Sequence, residues 1–427
     1  MPLDLSSDVV IRWDDLDPKH IPLLKQCGAT AVLPPRVDAA FAEACRQAGL
    51  KTADPADIPL LGVEEMHKAP VKPAALKAGL WPGISRGGAR GHNDEVASAS
   101  RQPWIDANGF WIGYLRAMYP KQPAVLGYLP NEEAGLKPDR VVPHDSLELA
   151  LIEAWANGGN FLLAVEPRFC KALLEGDEKT GTAWRQLGRT AAWLREHRSL
   201  FGQPVLPVAT ALVEDDITAE LVNLMYRQNV SPRLASAAAP PPPNPHCLAL
   251  VAASISDPTP EARRKLLALA EAGCSLVVDA PGEKAWWRAP ELKHVRAQED
   301  RDFFSLGRGQ VIAYREQIAD PSEFALDVID IVTQKQRAVR LWNAHSVIAL
   351  ATAGPKTGPA PGAAVLCAIN YGAPVDMDFP ARIQGHYAKA TLLRPEAAPV
   401  PLKAVKRGTT TEVYVPELRR LGVIVFS

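Results

Sequence analysis

Acidic residues stand directly behind short apolar runs at several points in the first half of the chain. Asp14 and Asp15 follow VVIRW (residues 9–13), Glu132 and Glu133 follow AVLGYLP (residues 124–130), and Glu166 ends FLLAV (residues 161–165). Asp106 lies in WIDANGF between Trp104 and Phe110. Asp94 and Glu95 sit in GHNDE beside His92, behind a glycine-rich run at residues 85–91. Paired carboxyl groups suit acid–base and nucleophilic work: one gives a proton to a leaving oxygen while the other attacks carbon or activates water. Trp104, Phe110 and Trp111 add flat apolar faces on which a ring can stack.

Each of these residues also has a plainer reading. Asp14 and Asp15 can be solvated neighbours of Asp17, which stands where a helix N-cap belongs. Asp94, Glu95, Glu132 and Glu133 can belong to exposed loops. The aromatic residues can be core, with Asp106 a cap. Glu166 can be held by Arg168 or Arg189 instead of meeting a substrate. His92 and His144 lie in loops expected on the same face, and a lone loop histidine is commonly just solvated.

The elements around these residues alternate strand and helix. Residues 9–13, 30–33, 50–53, 78–84, 124–129 and 161–165 read as strands. Residues 18–27, 38–48, 146–157 and 182–196 read as helices, with Asp145 capping the third. Repeated strand–helix order implies a parallel sheet, because parallel strands need crossovers. The expected fold class is therefore α/β, beginning with a (β/α) TIM-type barrel over residues 1–204. A doubly wound open sheet is the alternative. In a barrel the loops after the strand C-termini build the reactive face, which is where these acids fall.

A second αβ series follows, with strands at residues 208–213, 247–252, 275–279 and 310–314 and helices at 217–228, 259–272 and 321–332. Four successive prolines at residues 240–243 exclude helix and central strand there. Thr259, Pro260 and Gly273 bracket one helix as N-cap, first helical residue and stop. From about residue 340 short apolar runs recur without helical period, at 363–370, 375–379, 388–394, 401–405, 410–415 and 422–426. These predict a β-sandwich over residues 339–427, leaving 205–338 as a middle flavodoxin-like domain.

Three blocks in this order resemble glycoside hydrolases of the β-galactosidase type. The run PTPEARRKLLALAEAGCSLVVD is similar to their trimerisation domain, which is related to class I glutamine amidotransferases. VLCAINYG, LLRP and EVYVPEL resemble their terminal sandwich, and WIDANGFWIGYLRAMYP and LELALIEAWANGGNFLLAVEP resemble glycosidase-like barrels of uncharacterised families. The resemblance implies cleavage of a glycosidic bond in a carbohydrate substrate by two carboxylates at the barrel mouth. The barrel stretch aligns to no family of known catalytic positions, so the residues are chosen by their place after strand-like runs: Glu166, Asp106 and Glu132 for catalysis, and Asp14, Trp104, Trp111, Asp94 and His92 for substrate contact. The resemblance also implies a homo-oligomer through the middle domain. The alternative is a non-catalytic carbohydrate-binding or structural protein on the same scaffold.

Other classes are disfavoured. The 427 residues carry 47 Lys plus Arg against 48 Asp plus Glu, so no net charge draws the chain to nucleic acid or an anionic membrane. No apolar run reaches the length of a membrane span. The first residues lack a secretory signal, which points to the cytoplasm, or to export if a leader has been removed. No metal is expected from the histidine and cysteine spacing, and no cofactor, since GISRGGARG matches no nucleotide fingerprint. The six cysteines read as reduced core residues. Cys274 precedes a strand and Cys247 opens one, so neither occupies the strand-to-helix elbow that glutamine hydrolysis needs. Trp286 and Trp287 form either a sugar platform or packing at a domain junction.

Overall fold

The computed structural model describes residues 3–68, 74–76, 108–127, 144–206, 209–214, 218–244, 246–253, 255, 257–279, 282, 284–316, 318, 320–332, 336–344, 346–357 and 361–427. Seven short strands make the first sheet: β1 (Val10–Arg12), β2 (Ala31–Leu33), β3 (Lys51–Thr52), β4 (Leu60–Leu61), β5 (Ala75–Leu76), β6 (Val125–Gly127) and β7 (Asn160–Ala164). They bond in the order β3-β2-β1-β7-β6-β5-β4, all parallel. That is the cyclic order of a ring opened between β3 and β4. Between and after the strands run α1 (Ile21–Gln26), α2 (Ala39–Gln47), α3 (Val63–Lys68), α4 (Asn108–Met118), α5 (Ser146–Ala156), α6 (Pro167–Leu174) and α7 (Glu178–Glu196).

Side chains alternate across a strand, and here the two faces have different neighbours. Val10, Ala31, Leu33, Ala75, Val125 and Leu162 gather with Leu5 and Ile58 into one small cluster. Strands well separated in the sheet, β2 and β5 among them, share it, so the sheet curls around these side chains. The opposite face, with Ile11, Trp13, Val32, Leu76, Leu126, Phe161 and Leu163, packs under the helices. One approach is too close for any side chain. A Cβ on Gly188 of α7 would stand 1.9 Å from the Gln26 carbonyl oxygen at the end of α1.

The second sheet contains β8 (Ala209–Val213), β9 (Arg233–Ser236), β10 (Ala249–Ala252), β11 (Ser275–Val278), β12 (Lys293–Ala297), β13 (Arg301–Leu306) and β14 (Gly309–Tyr314). Its order is β12-β13-β14-β11-β10-β8-β9, parallel from β9 to β14, with β12 and β13 antiparallel at one edge. Helices α8 (Ala219–Arg227), α9 (Pro260–Glu271) and α10 (Pro321–Asp327) belong to this series. Thr259 caps α9 as expected, accepting from Ala262 N at 3.2 Å, and Gly273 ends it at φ 120°. Trp286 and Trp287 pack inside the core of this sheet, where Trp286 Nε1 donates to the Ile255 carbonyl at 2.6 Å.

The C-terminal strands are β15 (Val339–Leu341), β16 (Val347–Ala353), β17 (Ala364–Asn370), β18 (Phe379–Gln384), β19 (Ala390–Arg394), β20 (Ala397–Leu402), β21 (Val405–Arg407), β22 (Thr410–Val415) and β23 (Leu421–Phe426). They form two antiparallel sheets, β15-β18-β22-β21 and β16-β17-β23-β19-β20. Leu341, Phe379, Ile383 and Val413 of one meet Ala349, Leu366, Leu392 and Ile424 of the other in a shared core. Residues 375–379 were expected as a strand. Val375 makes a single bridge to Leu418 and regular pairing begins only at Phe379, because Asp376, Met377 and Asp378 are all exposed and no buried face fixes an alternation.

Buried carboxylates join the C-terminal sheets to α5. Glu153 Oε1 accepts from the Tyr371 hydroxyl at 2.8 Å, and Oε2 accepts from Asn108 Nδ2 at 2.9 Å. Glu148 accepts from the Thr190 hydroxyl at 2.6 Å and pairs with Arg419 at 3.4 Å. Asp145 does not cap α5 with its side chain; it is ion-paired to Arg420 instead. A charge this deep is tolerable only with donors on its oxygens.

Two outcomes follow for stability. Gly188→Ala should lower the free energy of unfolding in urea by about 1–3 kcal/mol through overpacking. Tyr371→Phe should lower it by about 1.5–3 kcal/mol, because it strips a donor from a buried carboxylate.

Candidate functional site at the strand ends

The pairing of β1 with β7 sets the geometry of this face. Ile11 is in register with Leu163, and Arg12 with Ala164. Asp14 and Glu166 each follow the last paired residue of their strand by two positions. Two acids thus follow the C-terminal ends of neighbouring strands, the first and the last of the curled sheet.

Glu166 is 9% exposed and also begins α6. Its Oε2 accepts from Phe169 N at 3.0 Å, with Pro167 as the first helical residue. Of the two arginines considered for it, Arg189 turns away to Glu396 and Gln186. Asp14 is exposed, and its carboxylate makes no hydrogen bond among the described residues. The following residues tie themselves down. Asp15 accepts from Asp17 N at 2.8 Å and meets His20 Nδ1 at 2.5 Å, while Asp17 accepts from Lys19 N at 3.0 Å and caps the turn Pro18–His20 that enters α1. The expected capping role of Asp17 is therefore present.

Cys170 of α6 lies one turn beyond Glu166, its N–H donating to the Glu166 carbonyl at 2.9 Å. Burial pushes its thiol up to about 11, and the negative charges of Asp15 and Asp14 push the same way. An aromatic run supports the edge from beneath. Trp13 lies 6.1 Å from Trp184, Trp184 lies 5.9 Å from Phe169, and Phe169 lies 5.8 Å from His144. Trp184 Nε1 donates to the Leu23 carbonyl at 2.7 Å, whereas the buried Trp13 Nε1 has no partner among the described residues.

Of the other residues singled out in the sequence, Trp111 is on α4 with 9% of its surface exposed. It packs edge-on against Phe110 at 5.1 Å and Tyr114 at 5.4 Å, in the helical layer outside the curl. Asp106, Glu132, Trp104, Asp94 and His92 lie outside the described residues, as do Glu95 and Glu133 and the strand expected at 78–84. Among the described residues, no three His, Cys, Asp or Glu side chains gather as metal ligands would, and no helix is long and apolar enough to cross a membrane. The sequence reading passed over Glu148 and Glu153. Two acids in the otherwise apolar helix LELALIEAWA were the available signal, since such a pair must find buried donors.

No family model matches the chain, and no curated protein matches it. Solved structures do. An alpha-L-fucosidase isoenzyme 2 from Paenibacillus thiaminolyticus superposes with a TM-score of 0.59 at 9% identity, over 98% of this chain and 99% of that one. A beta-galactosidase from Bacillus circulans sp. alkalophilus gives a TM-score of 0.51 at 9% identity, over 75% of this chain and 57% of that one. The fold is glycosidase-like. At this identity the likeness covers architecture, a curled parallel sheet with antiparallel sheets behind it, and carries no residue across.

The cap and the charge of Glu166 separate by substitution. Glu166→Ala should destabilise the protein by about 0.5–2 kcal/mol through loss of the cap. Glu166→Gln, whose amide oxygen can still accept from Phe169 N, should fall within about 0.5 kcal/mol of the parent in thermal or urea unfolding.

Proposed function

We propose that this chain is a glycosidase whose carboxylates act at the mouth of the curled sheet. The observation that supports the reading is the pairing of β1 with β7, since Asp14 and Glu166 each follow one of these neighbouring strands by two residues. On this reading residues 1–204 are a (β/α) barrel, 205–338 a flavodoxin-like domain and 339–427 a β-sandwich. The strand order from β9 through β8, β10 and β11 to β14 supports the middle assignment, since counted from β8 it runs 2-1-3-4-5. The shared core of the two C-terminal sheets supports the last. The two solved glycosidases support the class.

Glu166 supplies one carboxylate of the pair, and Asp106 or Glu132 the other. One protonates the glycosidic oxygen while its partner attacks the anomeric carbon or activates water. Asp14, Asp94 and His92 hold sugar hydroxyls, and Trp104 offers its ring to the sugar face, while Trp111, packed in the helical layer, takes no part. The retention of a carboxylate at a strand end is what such chemistry requires of the scaffold.

A second reading rests on the cap. Because Glu166 already accepts from Phe169 N, its carboxylate has a structural task, which a sugar-binding protein without turnover would also need.

On a panel of aryl glycosides, Glu166→Gln should reduce kcat by about 10²–10⁴-fold in a folded protein, while Asp14→Asn should act mainly on KM. Parent-like kinetics in both variants would reject this site. Calorimetric binding of an oligosaccharide with no product released by the parent would select the binding reading.

A further inference from the structure

A cavity of ≈ 340 Å³ opens at the N-terminal ends of β8, β10 and β11. This is the end of the sheet away from the crevice at the strand C-termini, where open α/β sheets bind their ligands. Thr210, Cys247 and Cys274 line it, with Pro241, Pro242 and Pro243 forming one wall and Arg233 and Arg308 at its rim. Both arginines are exposed, and neither is ion-paired among the described residues.

The ladder places the two cysteines side by side. Ala249 is in register with Ser275, and Ser275 N donates to the Leu248 carbonyl at 2.8 Å. Cys274 therefore stands beside Leu248, one residue from Cys247. A strand spacing of about 4.8 Å and a rise of about 3.3 Å per residue put the two Cα atoms about 6 Å apart, a separation that a disulfide spans without backbone movement. Both are free thiols. Cys247 Sγ lies 3.3 Å from Thr210 Oγ1, and Cys247 is the more accessible of the two, Cys274 being buried.

The two sulfurs are unequal. Donation from the Cys274 thiol, then from the Thr210 hydroxyl, holds Cys247 below the usual thiol range against the effect of burial. Cys274 is driven up by that same hydrogen bond and by burial. It also follows the C-terminus of α9, whose dipole opposes a negative charge. Its greater exposure makes Cys247 the attacking sulfur and the buried Cys274 the one that follows.

We propose that Cys247 and Cys274 form a dithiol site that reduces a small disulfide bearing carboxylates, which Arg233 and Arg308 attract to the cavity. In the first step the Cys247 thiolate attacks one sulfur of the small disulfide. A Cys247–S–S–R bond forms, the R–S–S–R bond breaks, and one RS⁻ leaves. Cys274 then gives its proton to solvent or to the departing thiolate and attacks Cys247 Sγ. The Cys247–Cys274 bond forms and the second RS⁻ leaves. Two electrons pass from the protein pair to the small disulfide, giving two small thiols.

The test uses the full chain, oxidised glutathione as the anionic probe and bis(2-hydroxyethyl) disulfide as the neutral one, with non-reducing peptide mass spectrometry. The native protein should acquire a Cys247–Cys274 cross-link that dithiothreitol reverses. Cys274→Ser should stop at a glutathione adduct on Cys247, and Cys247→Ser should give neither product. A native protein that keeps both thiols, or is modified only at other cysteines, would overturn the proposal without bearing on the strand-end site. The Arg233→Ala/Arg308→Ala double variant should react about tenfold more slowly with oxidised glutathione and at an unchanged rate with the neutral probe. Equal rates with oxidised glutathione in parent and variant would overturn the role given to the arginines.

Discussion

The parallel pairing of β1 with β7 is the interaction on which the proposed site depends. It joins the first strand to the last strand of the curled sheet, and without it Asp14 and Glu166 would sit at unrelated edges. The pairing is held from both faces. Inside the curl, Val10 and Leu162 pack with side chains from β2, β5 and β6; outside it, Ile11, Trp13 and Leu163 lie under helices. A slip of one residue would exchange these sets, so the register is strongly specified.

The rest of the molecule braces the helices behind that sheet. The joint is polar: Glu148 and Glu153 of α5 are nearly fully buried and depend on donors from Asn108, Thr190, Tyr371 and Arg419. Breaking one partner of a buried charge costs far more than the pair contributes relative to an apolar contact, so such a joint enforces one relative placement more than it adds stability. Because α5 leads directly into β7, the C-terminal sheets help set the position of the strand that delivers Glu166.

Much of this architecture was legible in the chain. Residues 9–13, 30–33 and 161–165 are apolar enough to announce strands, and Asp17 and Thr259 announce helix starts that the structure confirms. The two-residue strands β4 and β5 were not legible, since so short a run has no period. Nor was the β12–β13 edge, where KHVRA is wholly exposed and charged, as suits a strand that must not pair further. The capping role of Glu166 was missed because Glu is uncommon at an N-cap, where shorter side chains reach the backbone more easily. Asp145 failed as a cap for a tertiary reason, the competing guanidinium of Arg420, which no local pattern reveals. The proximity of Cys247 to Cys274 likewise comes from a parallel ladder whose register only the folded sheet defines.

The most direct test of the central claim is a crystal structure of the full chain soaked with an iminosugar, whose cationic ring nitrogen seeks carboxylates. The account predicts the ring over the C-terminal ends of β1 and β7, with its nitrogen in hydrogen-bond contact with Glu166 or Asp14. An iminosugar bound elsewhere, with those two side chains facing only solvent and protein, would contradict it.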